Sequence, residues 1–334
     1  IDKSKFTFDF LVIGDRKSVY ESEINELLSD GKNHFFYVPD LKKRHGEAKR
    51  WLQEFFDSRP YDWIYMNTCT AARIAYCKYA VEKKHTKLIT HSHNGNSSTW
   101  AGHIKNLLMK GYTTSKSSVK IACSENAYRW MFTDEPKAEN IVPNGIDTSR
   151  FSYSAVNHDK IREQYGFGPT DFVIGHVGRF SKQKNHLFFI KLAAKLDRRF
   201  KFLLIGDGET KETVCQQIQK ESLNDRFVVL DSKSDIECYY SAMDVFAMPS
   251  LYEGLPIVAI EAQSNGLPCV LSDKISKETN ITGHCLFVSI DNISEWEEIF
   301  NGSGLERYDE RNRIMNCGYS INNTVSVIER ILEK

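Results

Sequence analysis

Short apolar runs, typical of buried strands, alternate with amphipathic, helix-like segments along almost the whole of this chain. Five runs occur in the first half, at residues 8–13, 35–38, 63–66, 88–90 and 119–123. Six more follow, at residues 172–177, 202–205, 227–230, 245–248, 269–271 and 286–288. Since parallel strands need crossover connections, usually helices, this order predicts an α/β fold with two Rossmann-like, doubly wound domains.

The segments between these runs carry the helical patterns. The clearest lie at residues 19–28, 48–56, 71–81, 103–111, 184–196, 256–265 and 325–332. The segment 103–111 combines Leu107, Leu108 and Met109 with Lys105 and Lys110. We predict that it packs on the core, with a helix lying on a bilayer surface as the alternative.

A turn at Pro143-Asn144-Gly145 separates the two series of strands. Asn-Gly favours a tight turn, because glycine accepts a positive φ without steric cost. We therefore predict a hinge at Asn144 and Gly145, an N-terminal domain over residues 1–146 and a C-terminal domain over 147–317, with a linker at 151–160. Residues 318–334 are predicted to form a C-terminal helix that can cross back to the first domain.

The amino-acid composition argues against several classes of function. The chain has 334 residues, enough for two domains, and its 44 Lys and Arg balance 44 Asp and Glu, which argues against nucleic-acid binding through overall charge. The eight cysteines show no zinc-ligand spacing, and no apolar run approaches the roughly 18 residues of a membrane span. We expect a cytoplasmic protein with reduced thiols and without a metal or cofactor.

Two candidate site segments follow predicted strands. Gly178 and Arg179 end the first strand of the second half, and Lys184 opens the next helix, an arrangement that favours anions. In the second segment, Pro256 suits the start of a helix, which leaves the N–H groups of Ile257 and Val258 available to phosphate or a hydroxyl. Two carboxylates flank that helix start, at Glu253 and Glu261. Carboxylates near an anion site fit a polyol ligand, because they accept hydrogen bonds from its hydroxyl groups.

These motifs resemble the retaining glycosyltransferase family 4, of GT-B fold. The resemblance covers Gly178-Arg179 with Lys184, the E-x7-E pattern at Glu253 and Glu261, and the stretches 142–147, 204–209 and 244–250. In the first half, Thr90-His91-Ser92-His93-Asn94 is similar to the subgroup that builds bacterial capsule and exopolysaccharide. A GT-B enzyme has its two domains facing a cleft.

The resemblance also implies roles for residues. Arg179 and Lys184 would hold the donor diphosphate, Glu261 the ribose hydroxyls and Glu253 the donor sugar. The donor-binding set is Gly178, Arg179, Lys184, Gly206, Gly208, Leu230, Glu253, Gly254, Leu255, Pro256, Ile257 and Glu261. Gly206 and Gly208 would let the backbone pass close to the nucleotide. His93, Arg179, Lys184 and Glu253 are the catalytic candidates, and His91, His93 and Asn94 are candidates for contact with the sugar or acceptor.

The chain departs from that family at its start. Family members begin with a strand and a glycine-rich loop, whereas residues 6–13 look like the family's second strand. We therefore expect the N-terminal sheet to lack a central strand, and this chain to be weakly active or inactive.

The resemblance implies a glycosyltransferase that moves a hexose or N-acetylhexosamine from a nucleotide diphosphate sugar, UDP-sugar first among them, with retention. The acceptor would be a saccharide or lipid-linked saccharide, with peripheral contact at the inner face of the plasma membrane. Two alternatives remain open: a non-hydrolysing nucleotide-sugar epimerase of GT-B fold, and a non-catalytic subunit that binds nucleotide sugar.

Overall fold

The computed structural model describes residues 1–14, 21–28, 34–93, 95, 99–302 and 304–334. These residues form two compact units. Unit 1 comprises Ile1–Pro143 and Val325–Lys334, and unit 2 comprises Asn144–Thr324. The chain thus passes between units at 143/144 and again at 324/325, close to the predicted limits of 146/147 and 317/318.

The described residues of unit 1 contain five strands. They are β1 (Phe10–Ile13), β2 (Phe35–Val38), β3 (Trp63–Thr68), β4 (Lys87–Ser92) and β5 (Val119–Ala122). All pairings among them are parallel, and within the described part of the chain they form two sheets, β1–β2 and β3–β4–β5. Each predicted apolar run of the first half is therefore a strand.

Among the described residues of unit 1, four α-helices lie between consecutive strands and a fifth follows β5. They are α1 (Glu21–Leu28), α2 (His45–Ser58), α3 (Lys78–Lys83), α4 (Trp100–Lys116) and α5 (Glu125–Met131). The single helix predicted at 71–81 is wrong, because a 3-10 helix at Ala71–Tyr76 precedes α3 and the two are separated at Cys77. The prediction for 19–28 starts outside the described residues. Helix α5, capped by the Ser124 side chain, was not predicted.

Helix α4 packs on the core of unit 1 mainly through polar side chains. Leu107 and Leu108 are 56% and 76% exposed, whereas Asn106 and Thr113 are fully buried. The Asn106 amide accepts from Ala71 N at 2.7 Å and donates to Trp130 O at 2.8 Å, which satisfies it in the interior. Polar anchoring therefore decides which face of α4 points inward. The helix packs on the core, as predicted, through Asn106, Thr113 and Met109, while both leucines point outward.

Unit 2 contains one parallel six-stranded sheet. Its strands are β6 (Phe172–Val177), β7 (Phe200–Ile205), β8 (Phe227–Leu230), β9 (Val245–Met248), β10 (Cys269–Ser272) and β11 (Cys285–Val288), in the order β11-β10-β9-β6-β7-β8. The chain proceeds from β6 outward to β8, then restarts at β9 on the other side of β6. The carboxyl ends of β6 and β9 therefore form a topological switch point, where open α/β sheets bind ligands.

Helices cover both faces of this sheet. They are α6 (Ala155–Tyr165), α7 (Leu187–Ala193), α8 (Lys211–Lys220), α9 (Ile236–Ala242), α10 (Ile257–Ser264), α11 (Ile293–Asn301) and α12 (Arg311–Ile314). Two apolar clusters pack against opposite faces, one around Phe246 and one around Phe202. The linker predicted at 151–160 is wrong, because Ser154 caps α6 inside it.

The last helix, α13 (Ile321–Leu332), begins in unit 2 and ends in unit 1, four residues longer at its start than predicted. In unit 1 its Val327 and Ile331 pack against Ile89 and Ile121, and Trp63 donates to Leu332 O at 3.1 Å. No helix among the described residues is long and apolar enough to cross a membrane.

Candidate donor site

The loop after β6 makes the first part of the site. Gly178 N donates to Ile205 O at 3.0 Å, which ties this loop to the end of β7. A Cβ on Gly178 would lie 3.2 Å from His176 Nε2 and 3.4 Å from Lys184 Cε. The missing side chain at Gly178 therefore leaves room for the stem of Lys184.

Glycine is required at positions 206 and 208 for a reason other than the expected close approach of the backbone to the nucleotide. Their φ angles are +150° and +153°, and an added Cβ would lie 2.1 Å from Gly178 O and 2.2 Å from Phe180 O, respectively. Both glycines are thus required by the close contact between the loops after β6 and β7, before any nucleotide is considered.

The two motifs meet at an ion pair. Lys184 Nζ lies 2.8 Å from Glu253 Oε1, and both side chains are largely shielded from solvent, at 15% and 12% exposure. The amide of Gln183 also donates to Glu253 Oε1, at 3.1 Å. The structure therefore joins the cation after β6 to the carboxylate after β9, at the switch point of the sheet.

Backbone and side-chain hydrogen bonds hold these two loops together. Leu251 N donates to Gln183 O at 2.8 Å, and the Asn185 amide donates to Pro249 O at 3.1 Å. Asn185 adopts a left-handed conformation, with φ of 56°, which aims its side chain at the opposite loop. The position of Lys184 is therefore fixed by its neighbours in sequence.

Arg179 is arranged differently from Lys184. Its guanidinium is 73% exposed and pairs with Glu209, at 3.0 and 3.1 Å. The sequence reasoning missed a further cation, Lys211, which donates to Gly206 O at 3.0 Å and to Asp231 Oδ1 at 2.5 Å, beside the end of β8 at Leu230. Its position after β7, at the start of α8, is the sequence signal that could have identified it.

The start of α10 faces the same region. Pro256 occupies the N-cap position without a side-chain cap, one residue earlier than the helix itself. Within the described part of the chain, the N–H groups of Ile257 and Val258 have no acceptor. Glu253, Gly254 and Leu255 lead directly into this helix start. Unpaired N–H groups at a helix N-terminus provide a place for an anion or a hydroxyl.

Glu261 lies one turn further along α10 and is half-buried. Tyr240 donates a hydrogen bond to its Oε2 at 2.9 Å. Burial raises the pKa of Glu261, while the Tyr240 hydrogen bond and the charge of Arg150 lower it. Among described residues no hydrogen bond or ion pair joins Glu261 to Glu253, so the two carboxylates occupy separate positions beside α10.

Two buried histidines behind Lys184 were also missed. His176 Nδ1 lies 2.8 Å from Ala247 O, and His186 stacks on Phe180 with ring centroids 3.9 Å apart. Burial, reinforced by the Lys184 charge, lowers the pKa of His186 to about 3, and burial lowers that of His176 as well. Both rings are therefore neutral at physiological pH.

The histidine candidates belong to unit 1, at the end of β4. His91 is buried, with Nδ1 2.5 Å from the Tyr65 hydroxyl, and burial lowers its pKa to about 3. His93 Nε2 lies 2.8 Å from Asn67 Oδ1. Asn94 lies outside the described residues. A buried ring with so low a pKa remains neutral, so His93 is the better candidate for proton movement.

The predicted hinge residues, Asn144 and Gly145, open unit 2. Gly145 does not have the positive φ that the turn suggested. An added Cβ would instead lie 2.5 Å from Thr324 Oγ1 and 2.7 Å from Ile321 Cα. Glycine is required here by close packing against the start of α13. The hinge itself remains a prediction.

Across the described ranges, no group of three or more His, Cys, Asp or Glu side chains is placed to hold a metal ion. The features of the site that could receive an anion are Lys184, Arg179, Lys211 and the N-terminus of α10. The site as described therefore combines fixed positive charge with two carboxylate acceptors.

Comparisons with known proteins identify the family and the fold. The sequence profile of the family described as "Glycosyl transferases group 1" matches residues 157–295. The EpsF glycosyltransferase of Bacillus subtilis is 32% identical over 298 residues, covering 84% of this chain and 74% of that protein. The UDP-Gal:alpha-D-GlcNAc-diphosphoundecaprenol alpha-1,3-galactosyltransferase of Escherichia coli is 29% identical over 235 residues, covering 65% and 59%.

The structure of Anabaena Alr3699/HepE in complex with UDP-glucose has the same architecture. It matches 97% of this chain and 92% of its own with a TM-score of 0.77, at 19% sequence identity. The fold, two Rossmann-like units with parallel sheets, is therefore that of the GT-B glycosyltransferases, as the sequence predicted. The chain belongs to the glycosyl transferases group 1 family.

Proposed function

We propose that this protein transfers a hexose or N-acetylhexosamine from a nucleotide diphosphate sugar, of the UDP type, to a saccharide or lipid-linked saccharide in bacterial polysaccharide biosynthesis. The observation that carries the proposal is the Lys184–Glu253 contact at the switch point, beside the N–H groups that begin α10. A cation, anion-binding N–H groups and a hydroxyl acceptor together suit a diphosphate joined to a sugar.

The substrate classes draw support from the relatives. The Escherichia coli relative is named for UDP-Gal and for an acceptor carried on diphosphoundecaprenol, and the Anabaena structure holds UDP-glucose. An acceptor on a lipid diphosphate is what stepwise assembly of a polysaccharide on a membrane carrier would use. We carry both substrate classes over to this chain as a proposal.

The donor diphosphate would bind between Arg179, Lys184 and the start of α10. In this arrangement the diphosphate becomes a partner of Lys184, and Glu253 accepts hydrogen bonds from the sugar hydroxyls. Negative charge develops on the diphosphate as the bond to the sugar breaks. Fixed positive charge and oriented N–H groups stabilise that charge most in the transition state, which is how such a site accelerates transfer.

We further propose retention of the anomeric configuration, without a metal. The acceptor hydroxyl approaches the face from which the diphosphate leaves, a new C–O bond forms, and a phosphate oxygen takes the acceptor proton. No side-chain nucleophile is needed. The alpha linkage in the name of the Escherichia coli relative is what retention would yield from an alpha-configured donor.

His93 is proposed to contact the donor sugar or the acceptor. Its Nε2 lies 2.8 Å from Asn67 Oδ1, which helps to orient the ring at the carboxyl end of β4. An imidazole can hydrogen-bond a sugar hydroxyl or move a proton.

Helix α4 supports a peripheral membrane contact. Trp100, Leu107 and Leu108 are 80%, 56% and 76% exposed, and Lys105 lies exposed on the same helix. Aromatic and aliphatic side chains beside lysine are typical of helices that lie on an anionic bilayer. We propose that this face of α4 meets the membrane that carries a lipid-linked acceptor.

Product analysis tests the reaction. With a panel of radiolabelled UDP-hexoses and UDP-N-acetylhexosamines and undecaprenol-diphosphate-linked saccharides, label is expected in the acceptor and UDP in solution. Glu253→Gln should slow transfer by on the order of 100-fold, because a group that contacts the reacting sugar is lost. Glu298→Gln, at the exposed surface of α11, is the matched control and should leave the rate unchanged.

Two outcomes would contradict the proposal. An altered sugar still attached to the nucleotide would identify an epimerase. Tight binding of a UDP-sugar without turnover would identify a non-catalytic binding subunit.

A further inference from the structure

We propose that Tyr240 is a positioning residue for Glu261: it holds one carboxylate oxygen so that the other can accept from the nucleotide ribose. The inference rests on the proposed function, which makes Glu261 the ribose acceptor. Tyr240 lies on α9 and Glu261 on α10, so the contact joins two elements that the sequence motifs treat separately.

The two oxygens of Glu261 have different surroundings. Oε2 lies 2.9 Å from the Tyr240 hydroxyl, which also lies 3.1 Å from Val258 O. Among the residues that the structure describes, Oε1 has no hydrogen-bond donor. Since the side chain is half-buried, the tyrosine fixes its rotamer while leaving one oxygen for hydroxyl donors of a ligand.

Tyr240 is itself rigidly held. It is completely buried, its ring packs against Phe151 and Phe246 at 5.9 and 6.0 Å, and its backbone oxygen accepts from Arg307 at 3.0 Å. The hydroxyl therefore cannot follow Glu261 if the glutamate rotates. A fixed donor of this kind restricts the carboxylate to one orientation.

The hydrogen bond from Tyr240 also affects the protonation of Glu261. Burial raises the pKa of Glu261, and the Tyr240 hydrogen bond is the largest influence that opposes the rise. A protonated carboxyl is a poorer acceptor for ribose hydroxyls than a carboxylate. Loss of the tyrosine hydroxyl should therefore move the acid limb of nucleotide binding to higher pH.

The neighbouring Tyr239 provides a matched control. It is also buried on α9, yet its hydroxyl lies 3.5 Å from that of Tyr165 and makes no contact with Glu261. Tyr239→Phe and Tyr240→Phe thus remove the same atom from adjacent buried positions. Only the second removes a contact to the proposed ribose acceptor.

Calorimetric titration with UDP and with 2′,3′-dideoxy-UDP measures the effect. The unmodified protein should prefer UDP, and Tyr240→Phe should reduce this preference by roughly tenfold, as expected for a hydrogen bond to a charged group. It should also shift the acid limb of UDP binding to higher pH. Tyr239→Phe should change neither quantity, and Tyr240→Phe should have no further effect in a Glu261→Gln background.

These measurements distinguish a failure of the ribose role of Glu261 from a failure of the positioning role of Tyr240. If Glu261→Gln leaves the preference for UDP intact, the ribose role in the proposed function is wrong. If Glu261→Gln abolishes the preference but Tyr240→Phe does not alter it, the inference about Tyr240 is wrong. Should Tyr240→Phe fail to fold, 3-fluorotyrosine at position 240, a more acidic donor, should move the acid limb to lower pH; no movement would contradict the inference.

Discussion

At the scale of single residues, the charges of the side chains around Lys184 determine whether the candidate site can bind an anion. His176 and His186 lie behind Lys184, and burial lowers the pKa of both. Because their rings stay neutral, the positive charge at this edge of the sheet comes from Lys184, Arg179 and Lys211. Lys184 is held by Glu253 and is shielded from solvent, whereas Arg179 is exposed and paired with Glu209. Lys184 is therefore better placed than Arg179 to meet an anion beside α10.

His186 gives a prediction about stability and pH. Its pKa is about 3 in the folded protein and near 6.5 in the unfolded chain. As pH falls through that window, the unfolded chain binds a proton that the folded protein does not, so stability decreases with falling pH. One such group contributes a slope of at most about 1.4 kcal/mol per pH unit.

The substitution His186→Phe should remove this slope. Both ring nitrogens of His186 are buried without partners in the described structure, and a phenyl ring can keep the stack on Phe180. In urea unfolding at pH 8, 6 and 4.5, His186→Phe should have a free energy of unfolding at pH 8 equal to or greater than that of the unmodified protein. Its loss of stability between pH 8 and pH 4.5 should be smaller than that of the unmodified protein. His45→Gln, at an exposed ring, is the control. An unchanged loss for His186→Phe would contradict the assignment.

Residue partners were the least predictable part of the site. The motifs identify Lys184, Glu253 and Glu261 from their positions after strands. Their partners Gln183 and Tyr240 have no comparable signal, because the contacts depend on which strands become neighbours. Gly206 shows the same limit: its place in a motif was recognised, but the backbone that it approaches was not.

At the scale of elements, α4 shows which detail the sequence could not supply. The helix packs on the core as predicted, but Asn106 and Thr113 form the inward face through hydrogen bonds to Ala71 and Trp130. Periodicity reports which residues are apolar and contains no information about specific polar partners. The outward position of Leu107 and Leu108 is the basis for the proposed membrane contact.

Vesicle sedimentation tests that contact. The protein should bind vesicles of phosphatidylglycerol and phosphatidylcholine, and the double substitution Leu107→Ser and Leu108→Ser should reduce bound protein at least fivefold, since two leucines would otherwise bury apolar area in the interface. Val156→Ser, equally exposed at 76% on α6 of unit 2, is the matched control. Equal binding by all three proteins would contradict a role for α4.

The strands were predicted from the sequence more completely than the helices. All eleven predicted strands are present, because a strand buried between two helical layers is apolar along its whole length. Helices α5 and α6 were missed for physical reasons. Helix α5 has only seven residues, and the apolar residues of α6 do not form a continuous face.

At the scale of the whole molecule, the two Rossmann-like units were predictable, and so were the strand ends that carry the candidate site. Alternation of strands and helices is enough to imply parallel sheets. The strand order β11-β10-β9-β6-β7-β8 was not available from periodicity, although it is what brings the loops after β6 and β9 together. The Lys184–Glu253 contact is a direct consequence of that order.

The central claim is that unit 2 binds a nucleotide through its diphosphate, with Lys184 as the principal cation. Calorimetric titration of the protein and of Lys184→Met with UDP and with uridine tests it most directly. The account predicts that Lys184→Met weakens UDP binding by on the order of tenfold or more, while affinity for uridine stays the same. Equal affinity of both proteins for UDP, or an equal loss for UDP and uridine, would contradict it.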